Sequence, residues 1–457
     1  MPARPARRHP ALSSLPERLA WLYGLRRFGM KLSLDAERAL LEELGSPEKR
    51  LRILHIAGSN GKGSTAAIAE SILRAAGLCT GLYTSPHLVD FGERIRVGGR
   101  PIGRRALLDL TDRVFPAVER TANRLGRGVT FFEVTTAMAF LHFADLGVEA
   151  AVIETGMGGR FDATAAATPR VCALTPIALE HQKHLGRTLA AIAREKSAIL
   201  KPGVPAVSAL QPAAARKAIV YRARARGSRL AILGRDFHAT PQRGGVFDYL
   251  GLRVKLGGLR CGLAGPHQIG NAAVAMAACE RLAGADLRIG ENDFRRGVAL
   301  ARFAGRLERV LPRGKGGPAV VLDGAHNPAG ARALARALPA TFSCRRLHLV
   351  CGVMADKDLT KVLKPVARLA RATGGRAFAT AAAFERSAPP RVVSAALRGF
   401  GLRAAAVSSV PAAMDRALAQ AAPEDLVLVW GSLYVVGEAR AHLLPGSHRR
   451  SALPGPV

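Results

Sequence analysis

Short apolar runs alternate with longer stretches of helical period along most of this chain. The run Leu51–Ala57 ends in glycine and leads into a helical pattern from Thr65 to Ala76. Further strand-like runs lie at Cys79–Thr84, Ala150–Glu154 and Val171–Thr175, with helical patterns at Thr135–Leu146 and Ala190–Leu200. Short apolar runs bounded by turn residues predict buried strands, and their alternation with helices predicts a parallel sheet with crossover helices. A second series runs through Ala319–Asp323, Leu347–Gly352, Arg376–Thr380 and Leu426–Trp430, with helices predicted at Pro328–Ala337 and Lys361–Ala372. Between the two series the pattern predicts helices at Gly270–Leu282 and Glu291–Val298. The stretch 201–263 is less periodic, and its pattern places no strands.

This organisation predicts an α/β fold of two domains; with the glycine loop Gly58–Ser64 after the first strand, the expectation is a parallel-sheet P-loop ATPase domain followed by a smaller Rossmann-like α/β domain. The expected divisions are a disordered basic tail over 1–18, a central domain over 19–298 and a linker over 299–304. A second domain over 305–443 and a disordered tail over 444–457 complete the chain. A length of 457 residues accommodates two cores.

The chemistry concentrates where strands end, the side on which open α/β sheets bind ligands. After the first strand comes Gly58-Ser59-Asn60-Gly61-Lys62-Gly63-Ser64, then a helix. Glycines let backbone N–H groups close on phosphate oxygens, and the helix N-terminus adds partial positive charge. Lys62 is placed for the outer phosphates. The spacing departs from the standard G-x-x-x-x-G-K-[ST], because Gly63 separates the lysine from the hydroxyl. The second strand ends in Thr84-Ser85-Pro86-His87-Leu88 and the third in Glu154-Thr155-Gly156-Met157-Gly158-Gly159-Arg160-Phe161-Asp162. After the fourth come Glu180, His181 and His184. If these strands are neighbours, Ser85, Glu154 and His181 converge over the phosphate loop, as a hydroxyl, a carboxylate and an imidazole suited to Mg²⁺ that keeps waters. In the second domain Leu322-Asp323-Gly324-Ala325-His326-Asn327-Pro328 repeats the strand-end pattern. There Asp323 suits a ribose hydroxyl and His326 a phosphate or carboxylate.

Charge adds an ambiguity. Sixty-seven basic against 34 acidic residues give a formal net charge of +33. Such a field draws polyanions, nucleic acid among them. The arginines are scattered, however, and aromatics are 5% of the chain, too few for stacking platforms. Six cysteines without C-x-x-C spacing predict reduced thiols and a cytoplasmic setting. The N-terminus lacks the apolar stretch of a secretory signal, and no apolar run is long enough to span a bilayer.

Together these motifs resemble the folylpolyglutamate synthase/dihydrofolate synthase family, within the Mur ligase superfamily. The likeness extends from about Leu19 to Arg440. Besides the loops above it includes Phe131–Phe140, Ile192–Lys196, Gly265–Ala273, Gly305–Glu308, Phe384–Pro390 and Gly431–Arg440. The resemblance implies ATP-dependent amide bond formation with ATP and two Mg²⁺ ions. It implies ATP contacts from Asn60, Gly61, Lys62, Gly63, Ser64, Asn271, Arg306 and Asp323. It implies metal ligands at Ser85, Glu154 and His181, with Lys196 joining them when carbamylated. The implied pterin pocket comprises Thr130, Phe131, Phe132, Glu133, Phe161, Asp162 and Ala163. His326 and Ser432 stand as glutamate contacts, and Lys62, Lys196 and His326 as catalytic groups. The implied partners are small molecules, dihydropteroate or folates and L-glutamate, for a monomer that binds neither membrane nor specific nucleic acid. Ser59, Ala165, Ala178 and Glu180 depart from threonine, asparagine, glycine and aspartate at the matching family positions. Two other classes stay open: a P-loop NTPase that couples hydrolysis to another partner, and a basic nucleic-acid binder. Within the ligase reading the acceptor is dihydropteroate, a folate, or both.

Overall fold

A computed structural model describes residues 14–29, 32–284, 287–311 and 317–445. The chain divides into two compact units. The first comprises 1–87, 91–261 and 270–301, and the second 88–90, 262–269 and 302–457. The division is therefore not one cut in sequence, since two short segments that precede residue 302 belong with the second unit.

The first unit is built on an eight-stranded sheet. Its strands are β1 (Ile53–Ala57), β2 (Thr80–Tyr83), β3 (Ile95–Val97), β4 (Arg100–Pro101), β5 (Ala150–Glu154), β6 (Val171–Leu174), β7 (Ala206–Ser208) and β8 (Leu230–Ile232). Their order is β4-β3-β2-β5-β1-β6-β7-β8. The sheet is parallel from β2 to β8, with the β2/β3 and β3/β4 pairs antiparallel. β1, β5 and β6 are buried at every residue, as strands covered on both faces must be. The helix Phe131–Asp145 is buried along nearly its whole length, and Gly81 on β2 makes room for the Phe143 ring. Gly297, on the helix Glu291–Leu300, lets that helix approach Lys62–Ala75, because a Cβ there would lie 2.3 Å from Ile72 Cα.

The stretch whose pattern placed no strands contains an antiparallel sheet of β9 (His238–Pro241), β10 (Val246–Leu250) and β11 (Lys255–Arg260), in the order β11-β10-β9. The basic tail expected over 1–18 is corrected at its end. Leu15–Gly24 is helical, opened by a capping box between Ser14 and Glu17, and Arg18 pairs with Asp112. Residues 1–13 and 446–457 of the expected tails lie outside the described residues.

The second unit holds a six-stranded sheet of β12 (Glu308–Val310), β13 (Ala319–Asp323), β14 (Leu347–Cys351), β15 (Arg376–Ala379), β16 (Arg403–Ala406) and β17 (Leu426–Trp430). Its order is β12-β13-β17-β14-β15-β16, parallel except for β12. Alternate residues of β17 enter different cores. Leu428 and Trp430 pack with Leu349, Val362 and Val393, whereas Val427 and Val429 pack with Val350, Phe378 and Met414. This period of two is what a sheet covered by helices on both faces requires.

One buried group is at odds with its surroundings. Glu37, on the helix Asp35–Glu43, is 0% exposed and both carboxylate oxygens lack a hydrogen-bond partner. Burial raises its carboxyl well above the usual range, and Glu133, Asp162 and Glu48 add to the shift. A raised folded-state value means that the stability contributed by the proton is complete below the unfolded value and is lost as pH rises. Glu37→Met removes the group, so its melting temperature is expected to exceed wild type by roughly 2–4 °C at pH 8, the shift about 1 kcal/mol gives in a mid-sized domain. The gain should shrink toward pH 5, as thermal melts at the two pH values would show.

Candidate active site

The sheet order puts the four suggestive strand ends side by side. β1 carries the glycine loop, with β5 and Glu154 on one side and β6 on the other, and β2 and Ser85 stand beyond β5. The loop itself is closely held. Gly58 passes so near Thr175 that a Cβ would lie 1.8 Å from Oγ1. Gly61 is left-handed (φ 85°), and a Cβ there would lie 2.4 Å from Asn271 Oδ1. The N–H groups of Ser59 and Asn60 donate to Pro176 O at 3.0 and 3.2 Å, and Ser59 Oγ donates to Ala178 O at 3.1 Å. Gly61 is the N-cap of the helix Lys62–Ala75, whose first-turn N–H groups have no acceptor within the helix.

Lys62 Nζ lies 4.0 Å from Glu154 Oε1, and Ser85 N–H donates to Glu154 Oε2 at 3.2 Å. Lys62, Ser85 and Glu154 are thus brought together. Lys196, 1% exposed, donates from Nζ to Gly58 O at 2.8 Å and pairs with Glu180 Oε1 at 2.8 Å. Burial pulls its ammonium below the usual lysine range, with Glu180 opposing. Burial alone would raise Glu180, but the Lys196 and Lys62 charges outweigh it and hold the carboxyl below its usual range. His181 follows Glu180, exposed and in left-handed backbone (φ 44°), at the start of the short helix Gln182–Leu185.

Among the described residues no three His, Cys, Asp or Glu side chains gather to hold a metal. A cation here would draw on a mixed set. Glu154 fits one, since it is a buried carboxylate that already faces a cation, and Mg²⁺ takes one or two carboxylates while keeping waters. Lys196 as an ammonium is no metal donor; only a carbamate would make it one.

The residues expected to line a pterin pocket take different places. Phe132 packs on Gly156, where a Cβ would lie 2.5 Å from its ring, and on Tyr83 at 6.1 Å. Phe161 is 41% exposed. Thr130 and Glu133 form the capping box of the helix Phe131–Asp145, and Glu133 also pairs with Arg127 at 3.5 Å. The structure thus gives both residues a helix-start role. Sequence reasoning missed the cluster around Phe131. Tyr23 stacks on it at 5.7 Å, with the Arg26 and Arg94 guanidiniums 5.0 and 5.2 Å from the ring. Phe91 and His87 complete the group, and Arg94 Nε donates to His87 Nδ1 at 2.8 Å. No spacing in the sequence links Tyr23, Phe91 and Phe131, which the fold alone brings together.

In the second unit Asp323 Oδ2 accepts from Leu307 N–H and Oδ1 from Ala325 N–H, each at 2.9 Å. Arg306 lies against Gly324, where a Cβ would be 2.3 Å from Nη1. His326 Nδ1 is 2.9 Å from Gly324 O. Ser432, 2% exposed, caps the helix Leu433–Leu443 through Tyr434 N–H, so the structure gives it a structural task. A cavity of about 630 Å³ lies elsewhere, at the opposite ends of β1, β6 and β7, lined by Glu48, Lys49, Thr168, Arg170 and Pro202 among others. It holds none of these strand-end groups.

Two domain families match the chain: the Mur ligase middle domain over residues 56–279 and the Mur ligase, glutamate ligase domain over 305–433. The folylpolyglutamate synthase of Lacticaseibacillus casei is 33% identical over 439 residues, covering 94% of this chain and 99% of that protein. The chain belongs to the folylpolyglutamate synthase/dihydrofolate synthase family. A probable bifunctional folylpolyglutamate synthase/dihydropteroate synthase of Haloferax volcanii is 36% identical over 450 residues, covering 95% of this chain but 51% of that protein. The chain thus spans about half the length of this haloarchaeal relative. Among solved structures, E. coli FolC in complex with DHPP and ADP superposes with a TM-score of 0.85 at 30% identity, covering 97% of this chain and all (100%) of that one.

The family's substitutions in this chain find simple accounts. Ala178 is not among the positive-φ residues, so no glycine is needed there. Ser59 supplies the hydroxyl that binds Ala178 O, and Ala165 is buried, with its carbonyl accepting from Lys201 Nζ at 2.7 Å.

Proposed function

We propose that this protein is an ATP-dependent ligase that joins L-glutamate to dihydropteroate or to a folate, or to both. The observation that carries this reading is the convergence of Lys62, Ser85 and Glu154 on a glycine loop closed by Asn271, in a chain of this family. The DHPP and ADP bound to E. coli FolC, whose whole length this chain covers, support both the nucleotide and the pterin acid.

A free carboxylate is a poor acyl donor, because its leaving group would be oxide. In the proposed reaction a carboxylate oxygen of the acceptor attacks the γ-phosphorus of ATP, ADP leaves, and an acyl phosphate forms. The glutamate amine then attacks the acyl carbon, the tetrahedral intermediate collapses, and phosphate departs. This chain's part is alignment and charge neutralisation. The loop and the first helical turn are proposed to bind phosphates through Asn60, Gly61, Gly63 and Ser64, with Lys62 offsetting charge on the transferred phosphoryl group. Mg²⁺, held by Ser85, Glu154 and His181, would neutralise further phosphate charge when bound. Lys196, as the ammonium present here, anchors the loop through Gly58 O. Asn271, Arg306 and Asp323 are proposed nucleotide contacts, and His326 a contact for phosphate or glutamate. Phe132, Phe161 and the Phe131 cluster offer apolar and cationic surface to a flat anionic acceptor.

Glutamate incorporation measured with dihydropteroate and with tetrahydrofolate side by side tests the reading. ATP-dependent product with at least one is expected, and ATP hydrolysis that needs neither glutamate nor a pterin acid would overturn it. Lys62→Ala is expected to lower kcat by roughly two to three orders of magnitude while the protein stays folded, the scale seen when one transition-state donor is removed. Gly61→Ala should weaken ADP binding more than tenfold in calorimetry, because the new Cβ meets Asn271 and the backbone is left-handed.

A further inference from the structure

A central parallel strand usually carries apolar residues on both faces, yet β1 places His55 there, 1% exposed. A buried imidazole destabilises the fold unless it is hydrogen-bonded. Its Nε2 lies 2.8 Å from Thr164 Oγ1. Thr164 is itself 1% exposed, and its Oγ1 donates to Asp162 Oδ1. Asp162 also accepts from Thr164 N–H at 3.2 Å, from Met157 N–H at 2.8 Å and from Gly156 N–H.

The direction of each bond follows from the acceptor at the end. Burial raises the Asp162 carboxyl, while hydrogen bonds from the Thr164 hydroxyl and the Met157, Thr164 and Gly156 N–H groups oppose the shift; as a carboxylate it can only accept, so the Thr164 hydroxyl proton is committed to it. Thr164 Oγ1 must then accept, and His55 Nε2 must carry the ring proton. Nδ1 is left unprotonated and buried without a partner. Burial, with the Lys201 ammonium adding, pushes the imidazole down to about 3, so the ring is neutral and the order of donors is fixed.

This chain of bonds links the sheet core to both ends of the loop 156–164. Asp162 ties Met157 and Gly156 at its start to Thr164 at its end. Between them stands the half-exposed ring of Phe161, and Gly156 seats Phe132.

We propose that His55 is a positioning residue for the acceptor: through Thr164 it sets the carboxylate of Asp162, and so the shape of the loop that presents Phe161 and backs Phe132 to a flat heterocycle. The inference rests on the ligase reading above. Its signature is a split, in which recognition of the pterin acid depends on the relay and use of ATP does not.

Three variants test it. Thr164→Val keeps shape but removes the relay hydroxyl, and Thr164→Ser keeps the hydroxyl. His55→Leu replaces the ring by an apolar side chain suited to a central strand, so its melting temperature should equal or exceed wild type. Both Thr164→Val and His55→Leu are expected to raise the KM for the pterin acid at least tenfold, with the KM for ATP within twofold. Thr164→Ser should stay within threefold of wild type on both. An unchanged pterin KM in folded Thr164→Val and His55→Leu overturns the proposal while leaving the ligase reading intact. A parallel rise for ATP and pterin also overturns it. Wild-type protein that neither binds nor ligates a pterin acid, by fluorescence titration and by glutamate incorporation, overturns both.

Discussion

The arrangement depends on one constraint: β1 must end in a loop with almost no side-chain volume, pressed between Thr175 on one side and Asn271 on the other. Gly58 and Gly61 meet it, and no residue with a Cβ would fit without moving Thr175 or Asn271. The loop does not hold its shape alone. Pro176 O takes two of its N–H groups, Ala178 O takes the Ser59 hydroxyl, and Lys196 takes Gly58 O. These partners come from the segment after β6 and the helix Leu189–Lys196, so the order of strands is itself part of the site. With β1 between β5 and β6, the glycine loop, Glu154 and the Pro176–His181 segment become neighbours without long side chains having to reach.

The four strands whose ends meet at the site, β1, β2, β5 and β6, were legible in outline, because parallel strands buried on both faces write themselves as short apolar runs; their order was not, and comes from the structure. Each run that ended in glycine, serine or a carboxylate marked a place where backbone leaves the sheet. The sheet β9-β10-β11 was not legible for the opposite reason. β11 reads Lys-Leu-Gly-Gly-Leu-Arg, with only its two leucines buried, and β9 is largely exposed, so neither carries an apolar run. The helix Leu15–Gly24 was hidden by the composition around it. Its capping box, Ser14 with Glu17, was written in the sequence, but the basic, proline-rich residues before it suggested a tail.

Residue type alone did not separate ligands from scaffolding. Glu133, Ser432 and Asp323 stand at strand or helix ends, where a side-chain oxygen can face a substrate or satisfy orphan backbone N–H groups. In the structure Glu133 and Ser432 cap helices, and both oxygens of Asp323 hold amides of its own unit. Asp323 keeps Leu307 in left-handed backbone (φ 46°), beside Arg306. A carboxylate in such a place shapes the loop beside it.

Glu180 shows how a mild substitution acquires a definite task. Glutamate has one methylene more than aspartate, and here its carboxylate reaches 2.8 Å from Lys196 Nζ. The pair is buried, where an unpaired charge of either sign would be costly. Lys196 in turn holds Gly58 O, so Glu180, Lys196 and the glycine loop form one continuous set of contacts. Any change at Lys196 that removes its positive charge leaves Glu180 buried without its counter-ion and releases Gly58 O. Converting this lysine to a carbamate would therefore need a compensating cation at the same place; Lys62, a residue of the loop itself, is one whose charge already acts on both groups. The electrostatic state of Lys196 and the shape of the glycine loop are thus tied by the same contacts.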